Sequence, residues 1–175
     1  GKEQEKICIS CASSYPAAYS SCPRCQLPLV FPNIGKVWHV DKLIGRGGMG
    51  AVFLAHHIDD PARLSAVKVV QLVVGEKRAD RQEKVSRFQR EAEALGRLKH
   101  PAIVELYDFA RERDGSLYMA MEYLQGVPLS RVLKEQGPLE PADAVSLTLQ
   151  VLAAVGAAHR VGIIHCDLKP DNIVV

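Results

Sequence analysis

The sequence predicts an α+β fold, because strand-like segments come first and helical segments follow. Between residues 37 and 121, short apolar runs alternate with Gly-rich or polar turns, and one helical pattern interrupts them. Further helical sequence follows Pro141. Four cysteines crowded into residues 8–25 indicate a separate small module in front of this body. We therefore expect a five-stranded antiparallel sheet with one helix, followed by the beginning of a helical region.

Apolar, β-branched and aromatic residues form five strand patterns. The predicted strands lie within residues 37–44, 52–54, 66–70, 103–109 and 116–121. A Gly-rich turn over residues 45–50 joins the first two strands. Asp114 and Gly115, a pair typical of tight hairpins, join the last two. Two of the predicted connections are thus short turns between neighbouring strands.

Two segments show the apolar spacing of helices. The first stripe, within residues 80–98, is formed by Val85, Phe88, Ala92, Leu95 and Leu98. The second is formed by Ala142, Val145, Leu149, Leu152 and Val155. Pro141 suits the first turn of this second helix, where a backbone donor is not needed. The apolar stripe of the second helix requires a covering surface.

The composition excludes several classes of partner. A chain of 175 residues with 47% hydrophobic and 24% charged residues is typical of a globular protein with a buried core. The net charge of +2 is too small to indicate nucleic-acid binding. The longest apolar runs are too short to span a bilayer, and residues 1–6 lack the apolar core of a secretory signal. We predict a cytoplasmic protein with no membrane segment.

The cysteines predict a metal site. Cys8, Cys11, Cys22 and Cys25 form two C-x-x-C pairs with ten residues between them, and two such pairs can complete a tetrahedral zinc shell. Two disulfides, a redox pair and inert thiols are the alternatives. We predict that residues 1–28 form a zinc-ribbon-like module that binds Zn²⁺ and docks a protein partner or acts structurally. Residues 29–36 are expected to be a linker.

The Gly-rich turn predicts contact with phosphate groups. Residues 45–50 contain G-x-G-x-x-G, which alone is a weak signal because dinucleotide-binding folds share it. In those folds the turn opens a helix, whereas strand-like sequence follows here. A glycine at the tip of a hairpin lets the backbone approach a triphosphate, since it has no Cβ. Val52, just after the turn, is then expected to lie against the base.

Lys68 is the candidate cation for the phosphates, because it lies within an apolar strand. A lysine in a cleft of low dielectric needs an anionic partner. On the first predicted helix, Glu91 lies about 60° from the apolar stripe and Glu93 about 140° away, at 100° per residue. We therefore predict that Glu91 pairs with Lys68 and that Glu93 is exposed to solvent.

The residues near the end of the chain predict phosphoryl transfer. Asp167 is followed by Lys169 and Asn172, a spacing typical of a loop that supplies a base, a cation and a metal ligand. Together with the glycine turn, Lys68 and Glu91, this loop resembles the eukaryotic-like Ser/Thr protein kinases, in particular their bacterial members. The resemblance covers residues 37–175.

The resemblance implies a protein-kinase-like N-lobe at about residues 37–121, a hinge at 122–126 and the start of a helical C-lobe at 127–175. It implies binding of ATP, with Met121 as gatekeeper and the backbone of Glu122 and Leu124 holding the adenine. The residues that it implies for cofactor binding are Ile44, Gly45, Gly47, Gly48, Gly50, Val52, Ala66, Lys68, Glu91, Met121, Glu122, Leu124 and Asn172.

The resemblance also implies the catalytic roles. Asp167 would accept the proton of the substrate hydroxyl, Lys169 would steady the transferred phosphoryl group, and Asn172 would bind Mg²⁺. The substrates would be proteins with Ser or Thr acceptors. Cys166 departs from the family, which usually has Arg before the catalytic Asp; this argues against switching through a phosphate on the activation loop.

The chain ends before any Asp-Phe-Gly, so it is expected to be an N-terminal fragment of a longer kinase. We expect no measurable turnover from these 175 residues alone. The alternative function is an inactive, truncated kinase-like scaffold whose zinc ribbon docks a protein partner.

Overall fold

The computed structural model describes residues 5–8, 10–11, 13–47, 50–70, 72 and 77–175. The chain divides into two compact units. The first unit comprises Gly1–Ala92 and Leu106–Tyr123, and the second comprises Glu93–Glu105 and Leu124–Val175. The first unit holds the strands, and the second is mainly helical.

The elements follow one another in the order that the sequence predicts. The strands are β1 (Glu5–Ile7), β2 (Ser14–Pro16), β3 (Asn33–Ile34), β4 (Trp38–Gly47), β5 (Gly50–His57), β6 (Asp60–Val70), β7 (Leu106–Arg111) and β8 (Leu117–Glu122). The helices are α1 (Arg78–Gly96), α2 (Leu129–Gln136) and α3 (Pro141–Arg160), and Pro170–Asn172 form a 3₁₀ turn. The predicted α+β fold is confirmed.

The main sheet is antiparallel, with the strand order β3-β4-β5-β6-β8-β7. Within the described residues it has six strands, one more than the sequence analysis expects. The additional strand is β3, whose two residues pair with His39 and Trp38 of β4. β3 lies within residues 29–36, the predicted linker. Two residues are too few to show the alternation by which a strand is predicted.

The core of the first unit follows the period of two that strands impose. In β5, Ala51, Phe53 and Ala55 are buried, while the residues between them are partly exposed. Val67 of β6 and Trp38 of β4 are buried in the same cluster. The opposite face of these strands is therefore left to carry polar and functional side chains.

Two local features differ from the sequence analysis. β7 begins at Leu106 rather than Ile103, because the Ile103 amide donates to the His100 carbonyl in a turn that includes Pro101. Helix α2 was not predicted. It has only eight residues and no side-chain cap at its N-terminus, so the sequence offers few of the usual helix signals.

Helix α3 begins at Pro141, as predicted, and exposes its apolar stripe. Val145, Leu149 and Leu152 are 60%, 61% and 60% exposed. Among the described helices, α3 is also long and apolar enough to cross a membrane by length and composition. The uninterrupted apolar runs of the sequence predict no such segment, because polar residues divide the apolar positions of α3 into short runs. Length and composition alone do not assign α3 to a membrane, since core helices of soluble proteins pass the same test.

Candidate nucleotide-binding and catalytic residues

The predicted glycine turn lies at the tip of the β4–β5 hairpin. Gly47 pairs with Gly50, and Gly45 pairs with Val52 after an irregularity in the register. Gly48 lies outside the described residues. A Cβ on Gly50 would overlap the carbonyl oxygen of Val69 in β6, so the hairpin approaches the neighbouring strand too closely for any larger residue. The described residues thus form two strands joined by a short turn, and the strand β5 follows the turn where a dinucleotide-binding fold would have a helix.

Lys68 lies on the face of the sheet opposite the apolar core. In the antiparallel register it pairs with Val52 on β5 and with Met119 on β8. Ala66, two residues earlier, pairs with Met121. Because directly opposite residues share a face and the side-chain period is two, Val52, Ala66, Lys68 and Met121 lie on one face. The sheet therefore brings together four of the residues predicted to bind nucleotide. Ile44, also in that set, lies on β4 and is 41% exposed.

Lys68 forms an ion pair with Glu91 of α1. Its Nζ lies 2.7 Å from both Oε1 and Oε2 of Glu91, and the two side chains are 19% and 37% exposed. Glu93 is exposed. The pairing predicted from the helical positions is thus present. Because both carboxylate oxygens of Glu91 accept hydrogen bonds from the ammonium, this contact fixes the direction of the Lys68 side chain as well as the position of its charge.

Ser65 of β6 forms a hydrogen bond to β8, the strand that leads to the predicted hinge. It is fully buried, and its hydroxyl donates to the Met121 carbonyl at a distance of 2.9 Å. Glu122 is the last residue of β8, and Leu124 is already in the second unit. The sequence analysis missed Ser65. The available signal was a small polar residue within an apolar strand, which needs a hydrogen-bond partner once buried.

Asp167, Lys169 and Asn172 are brought together in the second unit. Lys169 Nζ lies 3.0 Å from Asp167 Oδ2. The Asn172 side-chain amide donates to the Asp167 carbonyl at 2.8 Å and to its carboxylate at 3.3 Å. The hydrogen bond from Lys169 holds the pKa of Asp167 below its ordinary value; desolvation opposes this, and the hydrogen bond from Asn172 adds to the lowering. Asp167 is therefore an ionised, accessible base.

The catalytic-loop residues are positioned by a turn and by α2. Asn172 ends the 3₁₀ turn, and the carboxylate of Asp171 accepts a 2.7 Å hydrogen bond from Ser130 of α2. Before the turn, Cys166 has a left-handed backbone with φ of 61°, and the Asp167 amide donates to the His165 carbonyl at 2.8 Å. The backbone therefore bends sharply just before Asp167.

The four N-terminal cysteines converge as the spacing predicts. Their Sγ atoms all lie within 4.8 Å of one another. The Sγ atoms of Cys11 and Cys22 are 3.7 Å apart, close to the edge of about 3.8 Å of a tetrahedron with bonds of about 2.3 Å to zinc. None of the five cysteines forms a disulfide. The donor set and its geometry fit a structural zinc ion.

The thiols differ in acidity. Hydrogen bonds with Ser13 lower the pKa of Cys11 to about 6. Hydrogen bonding with Cys11 raises the pKa of Cys25 to about 11. For Cys22, burial opposes ionisation, but hydrogen bonding with Tyr15 and with backbone amides leaves its pKa below the ordinary value. One cysteine of each C-x-x-C pair, Cys11 and Cys22, thus has a pKa below that of an ordinary thiol, which favours the thiolate form that binds metal.

Known proteins resemble this chain over the same region. The family model described as "Protein kinase domain" matches residues 38–175. The serine/threonine-protein kinase pkn3 of Myxococcus xanthus is 44% identical over 144 residues, covering 82% of this chain and 25% of that protein. The serine/threonine-protein kinase PknE of Mycobacterium tuberculosis is 40% identical over 140 residues, covering 79% of this chain and 23% of that protein. The chain thus spans about a quarter of the length of these curated relatives.

Solved structures agree with this match. The PknI kinase domain of M. tuberculosis aligns with a TM-score of 0.63 and 31% identity, covering 78% of this chain and 53% of that one. Rad53 residues 1–466, solved in complex with AMP-PNP, aligns with a TM-score of 0.67 and 31% identity, covering 81% of this chain and 35% of that one. The family match begins at Trp38, so the cysteine module lies before it. From residue 38 onward, the chain belongs to the protein kinase domain family, and its relatives are bacterial Ser/Thr protein kinases.

Proposed function

We propose that this chain carries the nucleotide-binding lobe and the catalytic loop of a protein kinase that transfers the γ-phosphate of ATP to Ser or Thr hydroxyls of proteins. The observation that carries the proposal is the cluster of Asp167, Lys169 and Asn172, with Lys169 Nζ 3.0 Å from the carboxylate. A base, a cation and an amide within hydrogen-bonding distance are what phosphoryl transfer to a hydroxyl requires.

ATP is the proposed nucleotide. The backbone at the tip of the β4–β5 hairpin would approach the phosphates, and Lys68, held by Glu91, would supply a fixed positive charge to them. Val52 and Ala66 offer an apolar surface beside Lys68 on the same face of the sheet. The backbone of Glu122 and Leu124 would bind the adenine, with Met121 behind it. Rad53, one of the structural relatives, was solved with the ATP analogue AMP-PNP, which supports this choice.

The catalytic loop would act on the acceptor hydroxyl. Asp167, whose pKa is lowered by Lys169, would accept the hydroxyl proton. Lys169, whose pKa Asp167 raises, stays charged and would stabilise the transferred phosphoryl group. The Asn172 amide nitrogen is committed to Asp167, so its oxygen is the atom that fits a magnesium ion. Magnesium supplies charge neutralisation of the phosphates when bound.

The test is transfer of radiolabelled phosphate from ATP to a generic basic protein by the full-length protein. Asp167→Asn removes the base while keeping the size of the side chain, and we expect the rate to fall by about 10²–10⁴-fold. Asp143→Asn, the same change in the first turn of α3, is the control and should leave the rate near that of the wild type. Equal rates for the wild type and Asp167→Asn would refute the assignment.

We further propose that Cys8, Cys11, Cys22 and Cys25 bind one Zn²⁺. Four sulfurs within 4.8 Å of one another suit zinc, and closely spaced unpaired thiols suit a reducing, cytoplasmic compartment. Elemental analysis of protein purified without added chelator should give about one zinc per chain. Cys22→Ser should lose the metal, whereas Cys166→Ser should retain it. A zinc content near zero in the wild type, with all five thiols of these residues titratable, would contradict the proposal.

A further inference from the structure

Leu29 and Val30 join the cysteine module to the kinase lobe. Leu29 is 1% exposed and packs with Cys8 and Cys22. Val30, the next residue, is 3% exposed and belongs to the core cluster of the main sheet, together with Trp38. In an extended segment, neighbouring side chains point to opposite sides, so this one stretch of chain is anchored in both cores. This segment therefore places one side chain in the core of the module and the next side chain in the core of the lobe.

Strand β1 reinforces this connection. The amide of Ile7 donates to the Val30 carbonyl at 2.8 Å, and the amide of Val30 donates back to the Ile7 carbonyl at 3.3 Å. Ile7 directly precedes the first cysteine of the metal site, Cys8. β1 is thus continuous with Cys8 of the thiol cluster, and it is hydrogen-bonded to Val30 in the segment that enters the lobe.

Lys6 of β1 adds an ion pair to this connection. Its side chain is only 4% exposed, and its ammonium lies 2.5 Å from Asp114 in the β7–β8 turn. The same ammonium donates to the Tyr19 carbonyl of the module at 3.0 Å and lies 5.6 Å from the centre of the Phe31 ring. A buried charge of this kind is stable only while its partners are in place.

The partner of Lys6 is fixed by its own hairpin. Asp114, whose side chain is 13% exposed, accepts hydrogen bonds from the amide and the hydroxyl of Ser116 at 3.0 and 2.6 Å. Nearby, the amide of Gly35 donates to the Glu112 side chain. A Cβ on Gly35 would overlap the hydroxyl of Tyr118 in β8. The β7–β8 hairpin thus contacts the module through Asp114 and packs closely against the segment that follows the module.

From these contacts we infer that the metal-loaded cysteine module is an intramolecular partner of the β7–β8 hairpin, so that zinc binding and the stability of this hairpin are thermodynamically coupled. The inference rests on the proposed zinc site. Folding of so short a module depends on its metal. Loss of zinc releases β1, and with it Lys6, from the hairpin. By linkage, a change that weakens the Lys6–Asp114 contact must also weaken zinc binding, and by the same free energy with which zinc stabilises that contact. This holds although no zinc ligand is changed.

The coupling is tested on the full-length protein with Asp114→Asn, which keeps the side-chain shape, and with Lys6→Met. The controls are Asp59→Asn and Lys42→Met, the same changes at exposed positions of the lobe. Competition with a chromophoric chelator gives the zinc affinity. We expect at least a fivefold loss for Asp114→Asn and Lys6→Met, and no change for the controls. The double variant should lose less than the sum of the two single losses, because both changes remove the Lys6–Asp114 contact.

Hydrogen exchange provides the reciprocal measurement. Removal of zinc from the wild type should reduce protection of the β8 amides at least tenfold, and by much less in Asp114→Asn. The coupling would be overturned if one zinc binds per chain but Asp114→Asn does not alter its affinity and chelation does not alter the protection of β8. The zinc site itself would then remain supported. A wild type that binds no zinc would overturn both, and the metal content measured first distinguishes the two failures.

Discussion

The ion pair between Lys68 and Glu91 shows how much of a site local geometry determines. The choice between Glu91 and Glu93 follows from their angles on one helix, and the 2.7 Å contacts of Glu91 agree with it. The position of Lys68 follows from the alternation along β6, which places it opposite the apolar core face. Both features depend on the period of a single element, which is why the sequence alone predicts them.

Glu91→Gln should weaken nucleotide binding. The neutral amide cannot hold the Lys68 ammonium as the carboxylate does, so the long side chain loses its fixed direction. A charge-assisted hydrogen bond is worth about 1.5 kcal/mol, which corresponds to about a tenfold rise in the dissociation constant of a fluorescent ATP analogue with magnesium. Titration of the full-length protein measures this constant.

Glu93→Gln is the matched control, because Glu93 carries the same charge on the same helix but is exposed. It should leave the dissociation constant within about twofold of the wild type, as surface changes usually do. If the two variants weaken binding equally, the effect comes from the net charge of α1 and the Lys68–Glu91 pair has no specific role.

Other residue-scale contacts were not predictable in this way. Lys6 and Asp114 are far apart in the sequence; Lys6 belongs to no motif, and Asp114 belongs only to the predicted hairpin turn. Their contact arises only when β1 pairs beside Val30 and the β7–β8 turn folds next to it. The buried hydroxyl of Ser65 is a similar case, since its partner Met121 lies on another strand. Non-local contacts of this kind carry no periodic signal.

At the scale of elements, length decided what could be predicted. The strands β4–β6 and β8 and the helices α1 and α3 are long enough to show a period of two or 3.6, and each was predicted near its observed position. β3, with two residues, and α2, with eight, are too short for a reliable pattern. The α3 stripe was predicted to need a cover, and its apolar residues are indeed exposed in the described chain.

The α3 stripe should dominate the solution behaviour of the 175-residue chain. Leu149→Gln with Leu152→Gln replaces two leucines that are 61% and 60% exposed. Because Gln and Leu have similar helix propensities, the helix should persist while the apolar patch shrinks. We expect severalfold lower fluorescence of a bound hydrophobic dye and less self-association by light scattering.

Leu149→Met with Leu152→Met is the control for this experiment, since it changes the same positions but keeps them apolar. Dye binding by this variant should match that of the wild type. Unchanged dye binding by the Gln variant would show that another surface of the chain takes up the dye, and that the stripe on α3 is not the dominant apolar patch.

At the scale of the whole molecule, the first unit contains both the cysteine module and part of the region that matches the kinase family. Residues 38–175 match the kinase domain, yet the first unit also contains the module, which precedes that match. The connection runs through a buried ion pair and through Leu29 and Val30, which pack into the two neighbouring cores. The sequence indicates both parts by their motifs, but it does not indicate that they pack together, because the residues that join them belong to neither motif.

The ion pair between the module and the lobe should make stability depend on pH in the acid range. Burial alone would raise the pKa of Asp114, but hydrogen bonds from Lys6 and Ser116 lower it below its ordinary value. A carboxylate with a lowered pKa in the folded state stabilises the protein above its unfolded pKa of about 3.9, and this contribution disappears as the pH falls through the lower, folded value. Asp114→Asn removes the contribution at every pH.

Urea unfolding at several pH values measures this contribution. Between about pH 5 and 7, the wild type should exceed Asp114→Asn by about 2 kcal/mol in the free energy of unfolding, the scale of a hydrogen bond to a charged group. Below about pH 4 the difference should begin to shrink, because the carboxylate of the unfolded chain then takes up a proton while that of the folded chain stays ionised, and it should vanish as the pH falls through the lower, folded pKa. Asp59→Asn, in an exposed turn, should differ little from the wild type throughout. A difference that stays constant down to pH 3 would mean that Asp114 stabilises the fold through its shape and hydrogen bonds alone, without its charge.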